Sequence, residues 1–282
     1  MSALHNERGD DPGRRGGERR GRRRHPPRRV EVVSVSRLTP RLVSVRLGGD
    51  NFDGLEDPAP TSHIKVHLPH VGQTEPVLEE ITPDGPAWPS GSSAPVSRTY
   101  TPRCFDPVTR TLEVQFVLHG EGPASEWAAQ AKPGDCLAIS GPGGRFTFDP
   151  STTRWWIAGD ESAIPATGTL LDALPTTARA EVHLEVDGAE DEIEFASAAN
   201  LDVYWHHRRS PHEPGAELNE VVRYADLEEG TRVWVACEAA AVRRIRRHLL
   251  DGRGLRPESI VTRGYWRLGE TNHPDGDYGD DA

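Results

Sequence analysis

Apolar and polar residues alternate over residues 30–36, 41–47, 63–68 and 111–118, the period-two pattern of strands with one buried face. Clusters of Gly, Pro, Asn and Asp separate these runs, and Leu38, Thr39 and Pro40 supply a turn between the first two. A further run at 136–140 follows Gly134 and Asp135 and closes on a turn at Gly141, Pro142, Gly143 and Gly144. Five or six short strands, interrupted by one short stretch of helical propensity at 124–131, predict a six-stranded antiparallel β-barrel over residues 30–150.

From residue 151 the pattern changes. An apolar strand, 154–159, ends in glycine, and residues 160–166 open a helix running to Leu174. A strand at 180–186, an apolar pair at Tyr204 and Trp205, and a strand at 232–236 follow. Residues 238–250 form a helix with Val242, Ile245 and Leu249 on one face. This alternation predicts a doubly wound parallel α/β domain over 151–270. Ligands of such sheets bind outside the carboxyl ends of the strands, where Gly159, Asp160, Glu161 and Ser162 and also Cys237 and Glu238 would lie. There is no G-x-G-x-x-G fingerprint.

The 282 residues suffice for two such cores. A net charge of −11, a mean hydropathy of −0.62 and no apolar run of spanning length argue against general nucleic-acid binding and against a membrane span. Residues 1–29 are rich in Arg, Gly and Pro and read as a disordered basic arm; no apolar stretch follows the paired arginines, so they are not a secretion signal. Residues 271–282 read as its acidic, frayed counterpart. Cys104, Cys136 and Cys237 make no CxxC, and the 12 histidines no metal-ligand spacing, so the expectation is no bound metal and a reducing, cytoplasmic compartment. His206 and His207, adjacent on an extended strand, face opposite ways. Monomer is the default.

Candidate chemistry concentrates at Arg98-Thr99-Tyr100-Thr101-Pro102-Arg103. On an extended segment Arg98 and Tyr100 share one face, and Thr99 and Thr101 the other. A guanidinium to fork a phosphate, a flat ring and a hydroxyl for a ring nitrogen together describe a flavin nucleotide site. An ordinary strand with an Arg–carboxylate pair and a half-buried Tyr has the same sequence. Downstream, Gly120 and Gly122 precede a helix whose first amides, at Ala124, Ser125 and Glu126, lack intrahelical acceptors and suit a diphosphate; a helix that binds nothing would look alike. Asp187 could grip a ribose 2′-OH and favour NADH, whereas Arg208 and Arg209 would favour NADPH.

Barrel first and α/β domain second resembles the ferredoxin–NADP reductase architecture. The segments Arg98-Thr99-Tyr100-Thr101, Phe116-Val117-Leu118-His119-Gly120, Gly122-Pro123-Ala124-Ser125 with Trp127-Ala128, Gly159 to Ala166, Trp234 to Ala239 and Gly264-Tyr265-Trp266-Arg267 occur in the order seen in siderophore-interacting proteins. That resemblance spans about residues 30 to 270. It implies FAD held by Arg98, Thr99, Tyr100, Thr101 and Val117, with His119, Gly120, Gly122, Pro123, Ala124, Ser125 and Trp127. It implies NADPH or NADH at Gly159, Asp160, Glu161, Ser162, Ala163 and Glu238, and Trp266 near the flavin or closing the domain interface. A ferric siderophore would meet Lys65 and Arg267. The family's third basic residue falls on Gly143 here, with Arg145 nearby, and Cys237 stands where relatives commonly have glycine. The activity implied is a flavin-dependent ferric-siderophore reductase without a side-chain general acid or base. A flavin or ferredoxin reductase of the same fold, one that takes electrons from a ferredoxin, and a non-catalytic siderophore or flavin carrier are the rivals.

Overall fold

The computed structural model describes residues 27–49, 52, 55, 57–82, 85–120, 122–144, 146–273 and 277–279. The basic arm through residue 26 and Arg145 lie outside them. The first half contains β1 (Arg28–Arg37), β2 (Leu42–Gly48), β3 (His63–Leu68), a small hairpin of β4 (Glu80–Thr82) and β5 (Gly85–Ala87), β6 (Val96–Tyr100), β7 (Pro102–Asp106), β8 (Thr111–Val117), helix α1 (Pro123–Gln130) and β9 (Cys136–Gly143). Seven of these strands, not six, form one antiparallel sheet in the order β6-β3-β9-β1-β2-β8-β7. Its two edge strands, β6 and β7, are separated in sequence by Thr101 alone, so the sheet curls until its edges meet at that residue. Val45, Leu47, Val66, Leu112, Phe116 and Leu137 fill the interior.

Two expectations shift here. Gly141 to Gly143 continue β9, with Gly143 opposite His63, instead of closing it as a turn. Arg28 and Arg29, assigned to the arm by composition, already pair with Ile139 and Ala138.

The second half carries β10 (Arg154–Asp160), α2 (Ile164–Ala173), β11 (Arg179–Val186), β12 (Asn200–His207), α3 (Ala216–Tyr224), β13 (Arg232–Glu238), α4 (Ala239–Arg247) and β14 (Ile260–Trp266). The sheet is parallel, in the order β12-β11-β10-β13-β14. Its order reverses beside β10, the first strand, which places a topological switch point at the carboxyl ends of β10 and β13. Core residues of α2 lie on one face, with Ile157, Leu184 and Trp234. Those of α3 and α4 lie on the other, with Trp156, Val233 and Val235. The last helix ends earlier than its apolar stripe suggests: α4 stops at Arg247 and a wider turn, His248–Gly252, carries Leu249 into the core.

The tail is not frayed over residues 277–279. Gly264 N donates to Asp277 O at 3.0 Å, and the Asp277 carboxylate accepts from Arg243, His273 and Gly279 N, each at 2.8 Å. Burial pushes that carboxyl up, but the hydrogen bonds from Gly279 and His273 and the charge of Arg243 outweigh it and hold it below the ordinary range.

The two halves are tied by Asp191. Its buried carboxylate accepts from Thr39 Oγ1 (3.0 Å), Arg41 N (3.2 Å) and the Arg41 guanidinium (3.1 Å). Arg41 also pairs with Asp187, and Arg103 of β7 pairs with Asp172 of α2.

Candidate functional site

The closing seam of the barrel gathers the first group of candidate residues. Register pairs Tyr100 with Ile64 and Arg98 with Val66, both core positions, and Thr99 with Lys65 on the outer face. The Tyr100 ring packs on Phe116 at 4.4 Å between centroids, and Phe116 on Trp127 of α1 at 5.6 Å, so a run of aromatics links the seam to the helix. Burial pushes the Tyr100 phenol well above its ordinary value, against the charge of Arg98. Arg98 donates to Ser97 O at 2.9 Å and has no carboxylate partner among the described residues. Thr101, at the junction itself, is buried. On the outside, Lys65 Nζ donates to Thr99 Oγ1 at 2.6 Å.

Helix α1 begins without a side-chain cap. Gly122 is its N-cap at φ 95°, Pro123 follows, and Gly120 is at φ 81°. The side chains of Ala124 and Ser125 are buried, and the Ser125 hydroxyl is spent on His119 N at 3.1 Å. What these residues can offer a ligand is therefore their backbone amides, which have no acceptor among the described residues. Glu126 N, by contrast, already donates to Gly122 O. Val117 packs toward the core of the α/β half, at the domain boundary. An arginine without a carboxylate and two helix-start amides without acceptors among the described residues, beside an aromatic wall, suit the phosphates and rings of a flavin dinucleotide.

The carboxyl edge of the parallel sheet gathers the second group, and it is closely paired. Asp160 is buried and accepts four hydrogen bonds: Ser162 N (3.0 Å) and Oγ (2.5 Å), Glu238 N (3.0 Å) and Trp266 Nε1 (2.7 Å). It thereby stitches together the ends of β10, β13 and β14. Burial, and after it the charge of Glu161, push the Asp160 carboxyl up to about 7, against the hydrogen bonds from Ser162 and Trp266 and the charge of Arg208. Glu238 caps α4 through Ala241 N (2.9 Å) and takes Leu268 N at 3.4 Å. Gly159 and Ala163 are buried against each other; a Cβ on Gly159 would sit 2.5 Å from that of Ala163. They shape the strand-to-helix turn and do not line its surface. Arg267 is half exposed, beside Glu270 at 3.3 Å, and reaches an open groove of about 840 Å³ between α3 and α4.

Arg208 is the largest departure from expectation. Instead of an exposed cation, it is a side chain only 9% exposed, donating to Glu185 (2.9 Å) and by two nitrogens to Glu161 (3.0 and 2.5 Å). Arg209 is exposed and pairs with Glu217. Asp187 is committed to Arg41. The adjacent histidines do diverge: His206 meets His183 at 3.0 Å and His207 meets Glu192 at 2.8 Å. The Glu161–Arg208–Glu185 cluster was not readable in advance, because its members leave three different strands and come together only through sheet register.

Both halves of the chain resemble known proteins. Residues 31–146 match the siderophore-interacting FAD-binding domain, and residues 152–269 match the siderophore-interacting protein domain. The chain is 31% identical over 250 residues to the ferric vibriobactin reductase of Vibrio cholerae, covering 86% of this chain and 90% of that protein. It is 27% identical to the NADPH-dependent ferric-chelate reductase of Escherichia coli, over 85% of this chain and 92% of the relative. Among solved structures, a siderophore utilization protein from T. fusca superposes with a TM-score of 0.79 at 35% identity, covering 89% of this chain and 97% of the other.

Proposed function

The chain belongs to the siderophore-interacting protein family, and from that premise we propose that it is an FAD-dependent reductase that takes electrons from a nicotinamide dinucleotide and delivers them to Fe(III) held in a siderophore. The observation that supports it most is the barrel seam, where Arg98 stands without a carboxylate among the described residues. In this reading Arg98 and the amides of Ala124 and Ser125 hold the diphosphate of FAD. Tyr100, Thr101 and Thr99 shape the bed for its rings, with His119, Gly120, Gly122, Pro123, Trp127 and Val117 as the surrounding wall. FAD, when bound, accepts electrons in pairs and releases them singly, which a side chain cannot do.

The carboxyl edge takes the donor. Ser162, Glu161, Glu238 and Trp266 border that position, while Gly159, Asp160 and Ala163 support it from beneath. One donor oxidised yields two electrons and a proton, enough to reduce two chelated ferric ions. Ferric catecholates are anions, and Lys65 and Arg267 attract them as a point charge and a guanidinium. Iron is the substrate, not a resident cofactor, and its release as Fe(II) follows from the chelate's weaker hold on the reduced ion. The same reading puts the protein in the cytoplasm, where both electron donor and imported chelate are present.

The test is an anaerobic visible spectrum of the purified protein, with NADH or NADPH added first and a ferric siderophore second. Bleaching of an oxidised-flavin band by the nucleotide and its return with the chelate are expected. A band that neither nucleotide bleaches would favour a ferredoxin donor or a carrier. No flavin band, even after incubation with FAD, would remove the proposal altogether.

A further inference from the structure

The segments that leave the first three strands of the parallel sheet are acidic. Asp160 and Glu161 stand at the end of β10, Asp187, Glu190, Asp191 and Glu192 beyond β11, and Glu213 and Glu217 beyond β12. Fixed positive charge reaches these three segments on Arg41, Arg208 and Arg209, and each is paired; Arg267, beyond β14, sits beside Glu270. Arg41 pairs with Asp187 and Asp191, and Arg209 with Glu217 at 2.5 Å. Arg208 is held by three nitrogens between Glu161 and Glu185. Glu185 is fixed in turn, because it is fully buried and accepts from Gly215 N (2.7 Å) and Glu217 N (3.1 Å) at the start of α3.

Resting on the donor reading above, we infer that this edge is built for a dinucleotide lacking the 2′-phosphate, so that the protein uses NADH in preference to NADPH, with the Glu161–Arg208–Glu185 clasp as the element that sets the choice. A 2′-phosphate brings a charge of about −1.5 to −2 near neutrality and calls for an uncommitted guanidinium or ammonium. Here it meets carboxylates. Recruiting Arg208 would strip two carboxylates of their partner, one of them fully buried, and uncompensated buried charge is strongly unfavourable. A ribose 2′-hydroxyl, as a donor, is instead satisfied by an acid at a strand end, the device that sheets of this class use for NAD. The inference separates this chain from its relative of 27% identity whose name specifies NADPH.

Calorimetry with the flavin-loaded protein tests it without turnover, using 5′-AMP and 2′,5′-ADP as probes. Wild type is expected to bind 5′-AMP at least tenfold more tightly. Glu161→Ala, which releases one side of Arg208, is expected to move the ratio at least tenfold toward 2′,5′-ADP, and the NADPH/NADH ratio of kcat/KM in the same direction. Equal or tighter binding of 2′,5′-ADP by wild type overturns the inference while leaving the donor reading intact. An unchanged ratio in a folded Glu161→Ala protein overturns the role of the clasp. If neither nucleotide binds, the inference falls together with the donor reading of this edge.

Discussion

At the barrel seam and the start of α1, a guanidinium and two backbone amides lack the partners that would suit them. Arg98 lacks a carboxylate, and the amides of Ala124 and Ser125 lack acceptors, among the described residues. At the carboxyl edge the polar groups are spent on one another: Asp160 takes four donors, Arg208 two carboxylates, and Glu238 a helix end. The difference fits what each place must do. In the proposed reading, a tightly held flavin would supply the missing counterparts itself, so its site can wait unpaired. A donor that entered and left the carboxyl edge on every turnover, as proposed, would need an edge that keeps its shape when empty, and internal pairing provides that.

Removing one arginine from each place should break the comparison most clearly. Arg208→Ala abandons Glu161 and Glu185, and loss of one member of a buried ion cluster costs about 3–5 kcal/mol. The expected outcome is a large fall in unfolding free energy by denaturant titration, with or without nucleotide. Arg98→Ala leaves no buried carboxylate behind, so the unfolding of the apoprotein should not move. Its loss should appear in FAD affinity, by about 1.5–3 kcal/mol for a charge-assisted bond, roughly tenfold to a hundredfold. If Arg98→Ala unfolds the apoprotein and Arg208→Ala does not, the two plans are assigned to the wrong places.

The contrast also explains what could be read in advance. β3 is legible because Ile64, Val66 and Leu68 alternate with polar neighbours and only the former are buried. β14 is not, since on the face it shares with α4 Ile260 is followed by Thr262 and Gly264, while Val261 and Tyr265 on the opposite face are separated by Arg263. α3 is short and buries only Leu218 and Val222, with Val221 packed at the margin of the core. Gly141, Pro142 and Gly143 carry turn chemistry yet pair as a strand, because the barrel places them against His63. The seam was visible since its residues are contiguous, from Arg98 to Thr101. The clasp was not: Glu161, Glu185 and Arg208 are far apart in sequence, and nothing local in the chain distinguishes a locked arginine from an exposed one.

The smallest expected effect sharpens the paired plan at its centre. Two physical tendencies compete at Asp160. Four hydrogen-bond donors favour a carboxylate, whereas full burial and the adjacent Glu161 favour the acid, and the balance lifts it to about 7. The protonated form is sterically consistent: the acid hydrogen can be donated to Ser162 Oγ at 2.5 Å, while the other oxygen still accepts from Glu238 N and Trp266 Nε1. In the unfolded chain Asp160 titrates near its ordinary value of 3.8. Between these limits the folded state holds a proton that the unfolded state has released. The stabilisation it brings is therefore fully present below the lower value and is lost as pH rises through the upper one, at about 1.4 kcal/mol per pH unit. Asp160→Asn removes that slope but adds a constant cost, because an amide nitrogen cannot accept from Ser162 N. The wild-type advantage over Asp160→Asn, measured by thermal unfolding, should therefore decline across that range, by about 1.4 kcal/mol between pH 5 and 6. An advantage that instead holds level or grows with pH would mean that the four donors keep Asp160 ionised, and that the edge carries one more negative charge against a 2′-phosphate than the acid form allows.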